Sequence, residues 1–250
     1  MIVAVAGKGG VGKSTLSALL VRILSPDGTI LAVDADPNSN LGLKLGLDVP
    51  GTIGGVREGL LDKGGQPPRD MSKQEYLRLK LQEVLAEGDG FDLLTMGRPE
   101  GPGCYCYVNN LLRVFVDQLM ERYPHVVIDN EAGMEHLSRR TAKRMDLLLL
   151  VSDPTMVGVR TALRLSELSD ELGLEVGRKV LLINGVREGR GQAAKDLASS
   201  AGIEYFLLPE DETVREASAN GCPVQAAGGM ADRFREIIPD LFPSRRRKAG

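Results

Sequence analysis

The sequence contains no tryptophan and only five phenylalanines and five tyrosines, so its interior must be assembled mostly from Leu, Val, Ile and Ala. It has three cysteines, which excludes a disulfide framework and points to a reducing, cytoplasmic location. No run approaches the roughly 18 uninterrupted apolar residues that a membrane-crossing helix needs. The opening "MIVAVAGKGG" has neither the basic flank nor the cleavage site of a signal peptide. The formal net charge of −3 offers no strongly single-signed surface, so neither nucleic acid nor a membrane is expected as a partner.

What the chain does have is 250 residues, 42% of them hydrophobic, enough for one large α/β domain spanning 1–250. Seven apolar runs read as strands: 2–6, 30–34, 92–96, 125–129, 147–151, 179–183 and 205–209. They are near-continuous where a half-exposed strand would alternate, which suits a parallel sheet buried on both faces. Helical patterns fall between them, near 13–24, 73–87, 108–122, 136–145, 157–173, 190–201 and 230–238. Repeated strand–helix units predict a single doubly wound, mostly parallel sheet with helices on both faces. The Gly/Pro-rich stretch 50–72 is expected to be a flexible surface insertion and 243–250 a frayed tail. Pro239 is expected to interrupt the last helix.

In such a sheet ligands bind beyond the C-terminal ends of the strands. The first strand runs directly into "GKGGVGKST" (7–15), which fits G-x-x-x-x-G-K-[ST] between Gly7 and Ser14. Backbone N–H groups of Gly9, Gly10, Val11 and Gly12 would turn inward around a polyphosphate at a helix N-terminus. Lys13 would reach the β and γ phosphates, Ser14 would ligate Mg²⁺, and Thr15 would touch the α phosphate. A second lysine, Lys8, makes the loop resemble the deviant Walker A of the ParA, MinD and nitrogenase iron protein class. That resemblance implies a lysine reaching across a homodimer to the partner's nucleotide. A cation supplied in trans would stabilise charge on the transferring phosphoryl group and tie hydrolysis to dimerisation.

"VDADPNSN" (33–40) places Asp34 and Asp36 at alternate positions of an extended chain. By resemblance to the class, Asp36 orients the attacking water and Asp34 supports it or the Mg²⁺ shell. An Asx turn ahead of Pro37 is the plainer alternative. "VVIDNEAG" (126–133) has the Walker B pattern, with Asp129 on Mg²⁺, Gly133 as a hinge, and Asn130 and Glu131 in a switch loop that senses the γ phosphate. By resemblance again, Asn184 bonds the adenine base, and Pro209 to Asp211 form a second edge for it.

"GPGCYCYVNN" (101–110) sets Cys104 and Cys106 one residue apart in a Gly/Pro-rich loop. Such a pair fills half of a soft-metal tetrahedron, with Zn–S distances of about 2.3 Å. The same loop of a second chain could supply the rest, giving one ion per dimer. Nickel and zinc both accept sulfur. Apolar packing and a redox pair are the alternatives. Cys222, His125 and His136 are read as structural, with His136 the first to test as an extra ligand.

"GKGGVGKST", "GRPEGPGCYCYVNN" and "VVIDNEAGMEHLSRRT", in that order, resemble the CooC-type ATPases, which mature nickel-containing carbon monoxide dehydrogenase. The resemblance covers essentially the whole chain. It implies Cys104 and Cys106 as a metal-binding pair at the dimer interface, and ATP-dependent nickel delivery to carbon monoxide dehydrogenase or acetyl-CoA synthase. The rival expectations are a MinD/ParA-type positioning ATPase and an iron–sulfur electron-transfer ATPase.

Overall fold

The computed structural model describes residues 1–61, 67–68, 70–98, 106–131 and 144–242, with the side chains of 27, 61 and 106–109 left aside. Eight strands form one sheet: β1 (Ile2–Gly7), β2 (Ile30–Asp34), β3 (Leu85–Glu87), β4 (Phe91–Thr95), β5 (His125–Asp129), β6 (Arg144–Ser152), β7 (Glu175–Val186) and β8 (Tyr205–Pro209). Their order is β3-β4-β2-β5-β1-β6-β7-β8. Every pair is parallel except β3 with β4. The described helices are α1 (Lys13–Leu24), α2 (Leu41–Leu45), α3 (Ile53–Leu61), α4 (Lys73–Glu83), α5 (Cys106–Met120), α6 (Met156–Glu171), α7 (Gln192–Ser200), α8 (Glu212–Ala219) and α9 (Gly229–Leu241), with a short 3₁₀ turn at Ser25–Asp27.

Period-two alternation along each buried strand divides the core. Val3, Val5, Ile30 and Ala32 face one layer with Leu16, Leu20, Phe234 and Leu241 from α1 and α9. Ala4 and Ala6 turn the other way, toward Val159 and Ala194 of α6 and α7. Leu31 and Val33 share that second face with Ile53, Leu77 and Phe115 of α3, α4 and α5. Each fully buried Leu or Ile stabilises by about 1.5–3 kcal/mol, which is why strands without a polar face persist here.

Three local readings differ from expectation. The run 73–87 does not stay helical. A Ser72–Glu75 capping box starts α4, but it stops at Glu83, and Leu85–Glu87 form an antiparallel edge strand closed by Gly88 N–H donating to Phe91 O at 2.8 Å. The stretch expected to be a surface insertion contains α3, whose Ile53 and Val56 are buried, so apolar spacing overrides its glycines. Pro239 does not break the last helix, because α9 continues to Leu241. The lost N–H falls in the final turn, Phe242 N–H still reaches Ile238 O at 2.9 Å, and burial of Ile238, Leu241 and Phe242 offsets the cost. Of the helix expected near 136–145, residues 136–143 lie outside the described residues, as does the tail 243–250, and Arg144 and Met145 are not helical but open β6, where pairing with Glu175 and Val176 claims them.

Candidate nucleotide-binding site

The central strand β1 ends at Gly7, where a Cβ would sit 2.3 Å from the Val151 carbonyl of β6. The loop that follows exposes Lys8, Gly9 and Gly10 and turns back through left-handed Gly10 (φ 78°) and Gly12 (φ 96°). Gly12 caps α1 with no side-chain hydrogen bond, and the first turn holds no acidic residue. The positive end of α1 is thus left to an incoming anion.

Lys13 is 7% exposed and folds back so that Nζ donates to Lys8 O at 3.1 Å. Burial lowers its pKa, opposed by the charges of Asp129, Asp36 and Glu131. The Lys8 side chain stands in solvent.

Asp129 ends β5, fully buried, in register with Asp34 on β2 and Val5 on β1. Ser17 Oγ donates to its Oδ1 at 3.1 Å, whereas Oδ2 is buried with no hydrogen-bond partner. Burial pushes the carboxyl up to about 6, against the pull of Ser14, Ser17 and Lys13. A buried carboxylate oxygen lacking a donor, beside the Ser14 hydroxyl, fits a hard divalent cation such as Mg²⁺.

Asp34 is a brace. Its carboxylate accepts Leu41 N–H at 2.9 Å and Asp36 N–H at 3.1 Å, and burial raises it to about 7. The loop it holds presents Asp36, half-buried, whose Oδ1 accepts from the Asn38 backbone and side-chain amides at 2.8 and 2.9 Å. The Asx turn therefore exists, and the same carboxylate still sits within the field of Lys13 and Asp129.

Asn130 is pinned to β1, with its backbone N–H and Nδ2 both donating to Val5 O at 3.1 and 3.0 Å while Oδ1 is buried and unpartnered. Glu131 is half-buried. Gly133 and His136 lie outside the described residues. Asn184, at the C-terminal part of β7, donates Nδ2 to Val11 O at 2.9 Å and leaves Oδ1 without a partner. Its visible role is to hold the phosphate loop. Pro209 ends β8 opposite Val186. Both Asp211 oxygens are taken by backbone, Oδ1 by Val214 N–H at 3.2 Å and Oδ2 by Met230 N–H at 3.0 Å. That carboxylate ties the starts of α8 and α9 together.

Of the cysteine loop, Cys104 lies outside the described residues and Cys106 is the first residue of α5. The loop departs after Thr95 of β4, which pairs with Asp34, so it leaves from the same rim as the phosphate loop. Among the described residues no group of three or more His, Cys, Asp or Glu is placed to hold a metal ion. Cys222 is exposed, and His125 sits at the N-terminal end of β5, on the opposite rim. No helix among the described residues is long and apolar enough to cross a membrane.

Three site residues escaped sequence reasoning. Ser17 had a signal: it lies four residues after Lys13, on the same helix face. Lys44 and Ser218 had none. Lys44 Nζ donates to Ser218 Oγ at 3.1 Å, and Ser218 Oγ lies 3.4 Å from Thr15 Oγ1.

Residues 2–224 match the CobQ/CobB/MinD/ParA nucleotide binding domain. An uncharacterized ATP-binding protein of Methanocaldococcus jannaschii is 42% identical over 228 residues, 90% of each chain. The carbon monoxide dehydrogenase accessory protein CooC of Rhodospirillum rubrum is 33% identical over 261 residues, covering 100% of this chain and 93% of that one. Among solved structures, MinD of Pyrococcus horikoshii complexed with Mg-ADP matches with a TM-score of 0.68 at 20% identity, over 99% of this chain and 98% of that one. A ParA family ATPase of Chlorobium tepidum gives 0.70 at 19%, over 94% and 96%. The two structures share the fold. A phosphate loop on the central strand, a buried carboxylate beside it and a family match over nearly the whole length lead to one conclusion: the chain belongs to the CobQ/CobB/MinD/ParA family of P-loop ATPases.

Proposed function

We propose that this protein is an ATP-dependent nickel-insertion accessory ATPase that matures carbon monoxide dehydrogenase or acetyl-CoA synthase, working as a homodimer. The supporting observation is that the segment carrying Cys104 and Cys106 follows β4 in the sequence, and β4 ends at Thr95, beside Asp34, on the rim that also carries Lys13, Asp36 and Asp129. The 33% identity to a carbon monoxide dehydrogenase accessory protein supports the same client class.

In this reading Lys13, Ser14 and Thr15 bind the nucleotide, Lys8 of each subunit completes the other's site, and Asp36 orients the attacking water. Magnesium held by Ser14 and Asp129 would neutralise charge on the β and γ phosphates. Loss of the γ phosphate releases the segment beginning at Asn130 and Glu131 and continuing through Gly133. That release loosens the grip of Cys104 and Cys106, from both subunits, on a Ni²⁺ or Zn²⁺ cargo. Asn184, Pro209 and Asp211 border the base.

The test is an anaerobic nickel titration of wild type and the Cys104→Ala/Cys106→Ala double variant, with and without ATP. The expected result is one ion per dimer in wild type, with nucleotide-dependent affinity, and none in the variant. Equal binding by both proteins would refute the metal assignment. A MinD/ParA-type positioning ATPase fits the same family match and is the second reading; ATP-dependent sedimentation with liposomes would favour it over nickel delivery.

A further inference from the structure

We infer that Lys44 is a second cation of the nucleotide site, acting within its own chain on the α-phosphate side of a bound nucleoside di- or triphosphate. The inference rests on the reading that the phosphate loop holds a nucleotide, and it adds a residue that no part of the loop motif supplies.

Three distant segments converge there. Thr15 is the third residue of α1, in the turn whose N–H groups face an incoming phosphate. Its hydroxyl lies 3.4 Å from Ser218 Oγ of α8, and that oxygen accepts Lys44 Nζ at 3.1 Å. The Lys44 backbone is fixed as well, since its carbonyl accepts Val224 N–H at 2.9 Å. The ammonium is thus held within reach of the α1 N-terminus on the Thr15 side. Lys13 lies instead over the loop backbone at Lys8 O, on the side assigned to the β and γ phosphates.

Among the described residues Lys44 has no ion-pair partner within 4.0 Å. It is half-buried. Burial lowers its pKa, and Asp129 pulls the other way, placing Lys44 within the field of the same buried carboxylate that steadies Lys13. An ammonium has three donors, and a single hydroxyl partner satisfies one. A half-buried cation beside a neutral partner gains when an anion arrives. A phosphate seated on the α1 N-terminus is that anion, and Ser218 aims the lysine at it.

The experiment measures Mg²⁺-ADP and Mg²⁺-ATP affinities of the full chain by calorimetry for wild type, Lys44→Met and Lys44→Arg, with melting temperatures of the nucleotide-free proteins. Lys44→Met should weaken ADP and ATP by the same factor, about tenfold, the size of one charge-assisted hydrogen bond. Lys44→Arg should recover most of it, and the nucleotide-free melting temperatures should stay close to wild type. Unchanged ADP affinity in Lys44→Met, or a loss confined to ATP, overturns the inference. If Lys44→Met does not fold, Ser218→Ala gives the same reading, with a smaller, equal loss for both nucleotides expected and no loss overturning the inference. A wild type that binds neither nucleotide, or a Lys13→Ala variant that binds both as tightly as wild type, would instead remove the nucleotide site itself.

Discussion

The side-chain amide of Asn184 holds the phosphate loop by donating to the Val11 carbonyl at 2.9 Å, across 173 positions of sequence. The same nitrogen would stand 2.6 Å from a Cβ at residue 12, so the clamp and a left-handed glycine there require one another. Gly12→Ala should therefore cost more than a strained φ. We expect nucleotide binding to fall below detection by calorimetry, and Asn184→Ala to weaken it several-fold while lowering stability by about 1 kcal/mol. Wild-type affinity in Asn184→Ala would show that the loop keeps its shape without the clamp.

Ser17 should matter to magnesium more than to the nucleotide. Removing its hydroxyl takes away the 3.1 Å hydrogen bond that Ser17 gives to Oδ1 of Asp129. A Ser17→Ala variant should raise the Asp129 pKa further and weaken Mg²⁺ dependence of ATP hydrolysis. Stability should drop by about 1–3 kcal/mol, the cost of leaving a buried acceptor short of a partner. The check is a magnesium titration of the ATPase rate beside a denaturant melt.

Stability of the nucleotide-free protein should fall as pH rises. Asp34 and Asp129 titrate near 7 and 6 in the folded chain, against 3.8 when exposed, so the folded state binds protons more tightly than the unfolded state between those values. Protons taken up by folding make acidification stabilising in that window, and the penalty is complete above it. Melting temperature should therefore decline from pH 5 to 8 (approximate limits set by the linkage argument), and Asp34→Asn should flatten the slope. Magnesium with nucleotide should remove the Asp129 share. A rising melting temperature over that interval would contradict the assignment.

Asp211 provides a contrast between structural and recognition roles. With both oxygens committed to Val214 and Met230 backbone, Asp211→Ala should destabilise by about 1–2 kcal/mol through two lost caps. The ratio of ATP to GTP affinity should stay the same. A changed ratio with unaltered stability would restore it as a base contact.

Burial of Ile53 in the Gly/Pro-rich segment makes α3 part of the core. Ile53→Ala should cost about 2–4 kcal/mol, measured by chemical denaturation. A loss under about 0.5 kcal/mol, the range of ordinary surface substitutions, would return that stretch to the surface.

The boundaries of β2, β5 and β8 were legible to the residue, because an apolar run ending in Asp or Pro marks where the strand gives way to a loop. The phosphate loop was legible for a related reason: its chemistry is carried by neighbours in sequence, so spacing alone specifies it. β3 was not, since Leu85–Glu87 continue a helix-like composition and become a strand only because Phe91–Thr95 offer an edge. The Lys44–Ser218–Thr15 contacts were invisible because they join α2, α8 and α1, and nothing local to any one of them encodes the other two. The bracing role of Asp211 was equally hidden, because its two backbone partners lie in α8 and α9 and the motif near the strand end pointed only to a ligand.

Both margins of the sheet carry a further consequence. One is a three-residue antiparallel strand, and the other, Tyr205–Pro209, ends in a residue without an N–H. The first offers a ladder too short for a foreign strand to extend and the second lacks a donor at its end, both devices that disfavour growth into fibres by edge addition. Association of copies through side chains and loops can be made and broken without unravelling the sheet.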